Sequence, residues 1–192
     1  MLLWTIQPLE VYELLVKQRV FRCDKSKALG LEGDVFKEAY DWLVYQMNQK
    51  IGVPPLGVEY PIWAWHTFCG RHTKPDFRRM GLGIPGKEYL CIEVDVPDHE
   101  VLLSDFDAWN IVLNDCFIGE ACNDEEWEKE LSYYKQLPED EQVKMKEESW
   151  SKIFEVDEEV DDIWRRRGEY IQATLWEIRM DNVRRVWRFK AR

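Results

Sequence analysis

Apolar and polar positions change period along the chain, and each change marks an element. Leu2 to Gln7 reads as a buried first strand, and Pro8 suits the first turn of a helix because that position needs no backbone donor. Val11, Tyr12, Leu14 and Leu15 make the apolar face of this helix, which ends near Gln18 before a short strand at Val20-Phe21-Arg22-Cys23. A polar, glycine-bounded loop runs from Asp24 to Gly33. Asp34 is placed to cap a helix reaching about Ile51, with Phe36, Tyr40, Leu43, Met47 and Ile51 three or four residues apart, and Gly52-Val-Pro-Pro-Leu-Gly57 stops it.

Tyr60 to Phe68 and Tyr89 to Val96 are the next strands; in the second, Leu90, Ile92, Val94 and Val96 alternate with Cys91, Glu93 and Asp95. Val101-Leu102-Leu103 is a short strand, and Ser104-Asp-Phe-Asp107 has the capping-box form that opens a helix through Trp109, Val112 and Leu113. Asn123-Asp-Glu-Glu126 repeats that logic for a helix to about Gln136. Pro138 opens another, with Val143, Trp150, Ile153 and Phe154 on one face, followed by an acidic loop from Glu155 to Asp162. Tyr170 to Ile178 reads as one strand, Asp181-Asn182 as a turn, and Val183 to Phe189 as a last strand or extended tail. Helices among distributed strands predict an α+β fold: a single mixed or antiparallel sheet with packed helices, forming one domain over residues 1–192 with an acidic helical insertion at 120–162.

A chain of 192 residues that is 45% hydrophobic holds a real core without disulfides, and its five cysteines are odd in number and irregular in spacing. With an N-terminus that starts at once on an apolar strand, this predicts a reducing cytoplasm, and no apolar run has the length of a membrane span. The net charge of −11 is not uniform. Residues 120–162 carry 17 acids against 5 bases, whereas residues 163–192 carry 9 bases against 3 acids, including Arg165-Arg166-Arg167. Charge segregation of this kind points either to a solvated acidic face or to a masked basic one.

Candidate chemistry concentrates in Tyr60-Pro-Ile-Trp-Ala-Trp-His-Thr-Phe-Cys-Gly-Arg-His72 and the following Lys74-Pro-Asp-Phe-Arg-Arg79. Trp63 and Trp65 share a strand face, either as core or as a stacking surface, beside His66 and the guanidiniums of Arg71, Arg78 and Arg79, which fork onto phosphates or pair with the acidic segment. His66, Cys69 and His72 are three residues apart, yet no second ligand pair accompanies them, and no metal is assigned. A Gly-x-Ser-x-Gly elbow is missing, and Pro85 spoils Gly81-Leu-Gly83-Ile-Pro-Gly86 as a phosphate cradle.

Leu3-Trp-Thr-Ile-Gln7, Ala39-Tyr-Asp-Trp42, Tyr60-Pro-Ile-Trp-Ala-Trp65, Lys74-Pro-Asp-Phe-Arg78, Val101-Leu-Leu-Ser-Asp-Phe-Asp-Ala-Trp109, Ser149-Trp-Ser-Lys-Ile-Phe154 and Ile171-Gln-Ala-Thr-Leu-Trp-Glu177 together resemble the bacterial family termed domain of unknown function 3841. That resemblance implies no activity. A fainter one, carried by the aromatic-x-Ile-polar opening strand and the late Gln-Ala strand, is to ADP-ribosyltransferases of the nucleic-acid-modifying toxin type. It implies an ADP-ribosyltransferase-like fold, NAD as cofactor, Gln7 against the nicotinamide ribose, and a late-strand glutamate stabilising the oxocarbenium charge. The family's acid falls at the place of Thr174, so Glu177 is the nearest substitute and reaches the same side only through a bulge or another register.

The leading expectation is therefore an NAD-binding, ADP-ribosyltransferase-like enzyme, with Gln7 and Glu177 catalytic and Trp65, His66, Arg71, Arg78 and Arg79 binding the cofactor. Two alternatives stand beside it. One is a non-enzymatic interaction protein whose acidic helices bind a basic partner; the other is a nucleic-acid binder using the basic C-terminal region.

Overall fold

The computed structural model describes residues 1–27, 35–77, 83–156 and 168–191. Its centre is a six-stranded sheet built from β1 (Leu2–Pro8), β3 (Ile62–Thr67), β4 (Glu88–Asp95), β5 (Leu102–Asp105), β6 (Ile171–Leu175) and β8 (Val183–Lys190). Their order is β5-β6-β3-β1-β4-β8, and every neighbouring pair is antiparallel. A second, two-stranded sheet joins β2 (Val20–Arg22) to β7 (Glu177–Arg179). With α1 (Leu9–Gln18), α2 (Lys37–Lys50), α3 (Phe106–Leu113), α4 (Asp124–Gln136) and α5 (Glu139–Ser149), the chain is the α+β fold that its periodicities predict.

Strand alternation gives the large sheet two buried faces. On one, Leu3, Ile62, Ala64, Ile92, Val94, Ala173 and Leu175 pack with Leu15 of α1 and Ile178 of β7. On the other, Leu102 and Trp63 pack beneath Leu43 and Met47 of α2, Trp109 and Val112 of α3, and Trp150 and Ile153. The run Tyr170 to Ile178, expected as one strand, breaks at Trp176 into two strands in two sheets. Trp176 is buried in the second cluster and donates its indole N–H to the Gly52 carbonyl at 2.8 Å, while Ile178, two residues on, packs in the first.

Asp34, expected to cap α2, lies outside the described residues; α2 starts after Phe36, with no side-chain cap. At α3 the cap is Asp105 rather than Ser104. One oxygen of this buried carboxylate accepts from the Ala108 N–H at 2.9 Å and the other from Gly168 N–H at 2.8 Å. Asn123 caps α4 as expected, accepting from Glu126 N–H, while the Glu126 carboxylate turns back to Cys122 N–H.

The acidic helices are joined to the core. After α5 a 3₁₀ segment, Trp150–Phe154, buries Trp150 and Ile153 against β5, and Trp150 Nε1 donates to Cys116 O at 2.8 Å. This anchors them at the β5 edge, whereas the basic strand β8 is the opposite edge. There Arg184, Arg185 and Arg188 pair with Asp95, Glu93 and Glu88 of neighbouring β4. Arg165, Arg166 and Arg167 lie outside the described residues.

Two consequences are measurable. Asp105→Ala removes the partner of two backbone donors and is expected to lower stability by about 1–2 kcal/mol in urea denaturation. A variant as stable as wild type would show that Asp105 is not the cap. The second concerns Glu177. Burial alone would push its carboxyl up, but hydrogen bonds from Arg22 and Arg179 outweigh that and hold it below the ordinary glutamate value. A depressed carboxylate stabilises the fold above its unfolded pKa, and that stabilisation drains as pH falls through the lower folded value. The acid-induced loss of stability below about pH 4.5 is therefore expected to be shallower in Glu177→Gln than in wild type. Identical slopes would remove the ion-pair network from that account.

Candidate functional site

Registers across the large sheet place one residue of each strand in a single row. Ser104 of β5 faces Gln172 of β6, Gln172 faces Trp65 of β3, Trp65 faces Trp4 of β1, Trp4 faces Glu93 of β4, and Glu93 faces Arg185 of β8. Residues opposite each other in a ladder project to the same face, so the row is one polar and aromatic stripe across the whole sheet. Trp4 Nε1 donates to Glu93 Oε2 at 3.0 Å, and Arg185 pairs with the other Glu93 oxygen at 3.9 Å. Trp65 is 7% exposed, ringed by Phe68, Phe106 and Tyr170. At the other end, Ser104 Oγ and Gln172 Oε1 are buried without a hydrogen-bond partner.

The register between β3 and β6 shifts between Trp65 and Thr67, and His66 is the extra residue. A bulge turns a side chain away from strict alternation. His66 therefore stacks on His72 with ring centroids 4.2 Å apart and planes 20° apart, and His72 sets its ring at 74° to that of Trp4. The chain returns to make this contact through a tight turn at Cys69 and Gly70, both with positive φ (52° and 67°), between the bridged residues Phe68 and Arg71. Two successive positive φ angles match the right-handed twist of the flanking strands. His72 Nε2 lies 2.8 Å from the Leu2 carbonyl; that oxygen only accepts, so Nε2 carries the hydrogen. His66 Nδ1 lies 3.0 Å from Thr67 Oγ1.

Beyond the turn, residues 74–77 cross to the β4 and β8 end. Lys74 Nζ sits 4.2 Å above the Phe77 ring and 5.5 Å above Trp187, and Phe77 stacks on Phe189. Burial pushes the neighbouring Cys91 thiol up to about 12; Lys74 opposes the shift and Glu93 adds to it. A thiol so protonated is no nucleophile. At the start of α3, Asp107 is raised, first by burial and then by the charges of Asp105 and Glu169. Tyr170 is raised as well, chiefly by its hydrogen bond with Cys69, whose sulfur is 3.3 Å from the phenol oxygen.

Of the residues singled out from sequence, Trp65, His66 and Arg71 come together at the end of β3, with Arg71 exposed on the turn. Arg78 and Arg79 lie outside the described residues. Gln7 is on β1, half-buried, on the face opposite Trp4; its Nε2 donates to Thr5 Oγ1, which in turn donates to the Trp63 carbonyl. Glu177 is in the second sheet, with Oε2 accepting from Arg22 and Oε1 from Arg179 at 2.8–2.9 Å. No hydrogen bond or ion pair links Gln7 to Glu177 among the described residues. His66 and His72 lie ring upon ring, so their nitrogens do not converge on a point, and no group of three ligands suited to a metal occurs among the described residues. Gln172 and Ser104 were not singled out as site residues. The signal that could have found them is polarity on a strand face that Leu102 and Trp63 make apolar one step along.

No helix among the described residues is long and apolar enough to cross a membrane. No curated protein and no solved structure matches the chain. A family model described as Domain of unknown function (DUF3841) matches residues 2–184. That span takes in five strands of the large sheet and the start of β8, the row as far as Glu93 and the histidine turn, and the chain belongs to the DUF3841 family.

Proposed function

We propose that this chain binds a nucleotide of the NAD type on the row's face, at the end of β3. The observation that carries the reading is the stacked pair His66 and His72 beside exposed Arg71. Flat rings with a polar edge receive a base or a pyridine ring, and guanidinium forks take the adjoining pyrophosphate. Trp4, buried and set edge-on to His72, backs this platform.

ADP-ribosyl transfer is the reaction that the resemblance to ADP-ribosyltransferases implies, and it would fall to Glu177. Both oxygens of that carboxylate are held by arginines, so a role in transfer requires it to give up a partner. Binding is therefore the function put forward here, with transfer as a second readout. In calorimetric titration with NAD, Arg71→Ala and His72→Ala are each expected to weaken binding about tenfold, the scale of a lost charge-assisted or stacking contact. Glu177→Gln should leave affinity within about twofold; if the chain is a transferase, the same variant loses nicotinamide release, because the carboxylate acts on charge developed only in the transition state. Wild-type protein that does not bind NAD would remove the reading.

A specific observation favours a second reading, an acidic docking surface for a basic partner. The acidic helices stand at the sheet edge remote from the β8 arginines, and α4 presents Tyr133, 60% exposed, in a shallow recess lined by Glu125, Glu128, Lys129 and Gln136, with Lys129 paired to Glu125. A lysine-rich peptide is expected to bind the wild type in a salt-dependent way and to lose binding in the Glu125→Lys, Glu128→Lys double variant. Equal binding by both proteins would rule this surface out.

A further inference from the structure

The two unpaired oxygens of the row have a physical consequence. Ser104 is 1% exposed, and its Oγ has no partner; Gln172, directly opposite it, keeps Oε1 buried and unpaired while the residue itself reaches the surface. A buried polar group left unpaired is destabilising, and native structures pair the great majority of them. Two such groups facing one another across a strand pair, next to Trp65, are an unfilled demand for a hydrogen-bonding partner. The glutamine amide presents an acceptor and a donor side by side in one plane, and the serine hydroxyl can give or take a hydrogen. Their complement is a flat group bearing an N–H donor beside an acceptor, as when glutamine reads the adjacent amino group and ring nitrogen of adenine.

We propose that Gln172 and Ser104 form the hydrogen-bonding floor of the ligand site and recognise a planar group with adjacent N–H donor and acceptor. This inference rests on the nucleotide reading above and deepens it, since the adenine edge and the nicotinamide carboxamide both carry that pattern. Ser104 and Gln172 act as specificity-determining residues, while the histidine platform and Arg71 supply affinity common to any nucleotide.

The test compares AMP, which carries only the adenine edge, with nicotinamide mononucleotide, which carries only the carboxamide, by calorimetry on wild type, Ser104→Ala, Gln172→Met and Arg71→Ala. One of the two ligands is expected to lose about tenfold in affinity in Gln172→Met and in Ser104→Ala, and the other to be unchanged; the one that weakens identifies the group on the floor. The melting temperature provides a readout that a purely structural role would not give. Removing an unpaired buried hydroxyl should leave the Ser104→Ala protein as stable as wild type or more so, while its ligand affinity falls. Gln172→Glu, which keeps the shape but loses the amide donor, is expected to weaken the same ligand as Gln172→Met. If both ligands bind and weaken only in Arg71→Ala, the floor inference fails and the nucleotide reading stands. Should AMP or nicotinamide mononucleotide weaken in Gln172→Met and lose nothing in Arg71→Ala, the nucleotide reading fails and the floor stands. A Ser104→Ala protein that melts lower while keeping wild-type affinity for both ligands would show that the two oxygens hold structural water only, and overturns the proposal.

Discussion

The antiparallel register of β1 against β3 and β4 is the constraint on which the rest depends. Trp4 faces Trp65 on one side and Glu93 on the other, and because side chains alternate with a period of two, that single alignment decides the face of every residue in three strands. A slip of one residue would send Thr5 and Leu3 into the polar row and expose Trp4 to the α1 side. Burial on both faces penalises the slip doubly. Each face has its own cluster of buried residues, so neither side of the sheet can tolerate the other's side chains.

The same register explains why polar groups collect where they do. Toward β4 and β8 the row is fully satisfied, with Trp4 Nε1 on Glu93 and Arg185 alongside. Toward β5 and β6 it is not, and Ser104 and Gln172 keep their oxygens unpaired. Between these halves stand Trp65 and the histidine stack. Among the described residues, local rules and global fold part at the bulge at His66, the left-handed Cys69 and the unpaired row end, which gather near one end of β3, and also at the register shift between Glu93 and Val94, the left-handed Arg19 and Asp115 and the unpaired Asn48 Oδ1. Clustered departures of this kind are where a functional site is to be sought.

Much of the fold was legible in runs of apolar residues and in caps: β1 and β4 fall within the apolar runs that announce them, β8 follows the turn at Asp181-Asn182, and α4 starts at the Asn123 cap that its sequence announces. The break between β6 and β7 was not. No glycine or proline marks it; an apolar residue within an apolar run, Trp176, leaves the ladder because its indole finds Gly52 on a distant loop. Ser104 and Asp105 are adjacent and both suit a cap, and only the Gly168 N–H, brought in from far along the chain, shows why the aspartate serves. In the site, Trp65, His66 and Arg71 were visible as a dense run, whereas the partnership of His66 with His72 required a positive φ at a cysteine, which spacing does not encode. Glu177 drew attention as the nearest acid to Gln172-Ala173. Its odd parity to Thr174 already hinted at another face, and the structure places it in another sheet.

Charge segregation along the sequence has a three-dimensional counterpart that the sequence could not supply. The arginines of β8 are matched by Asp95, Glu93 and Glu88 on the strand beside them, so the basic charge of that strand is largely paired locally. Exposed pairs of this kind each contribute about 0–1 kcal/mol and exchange readily. The acidic helices, meanwhile, are fixed at the other edge by Trp150 and Ile153, in the cluster that also holds Trp109 and Trp176. They cannot be cut away without opening that cluster, because Trp150 and Ile153, which anchor the acidic segment, pack in it with Leu102, Trp109 and Trp176.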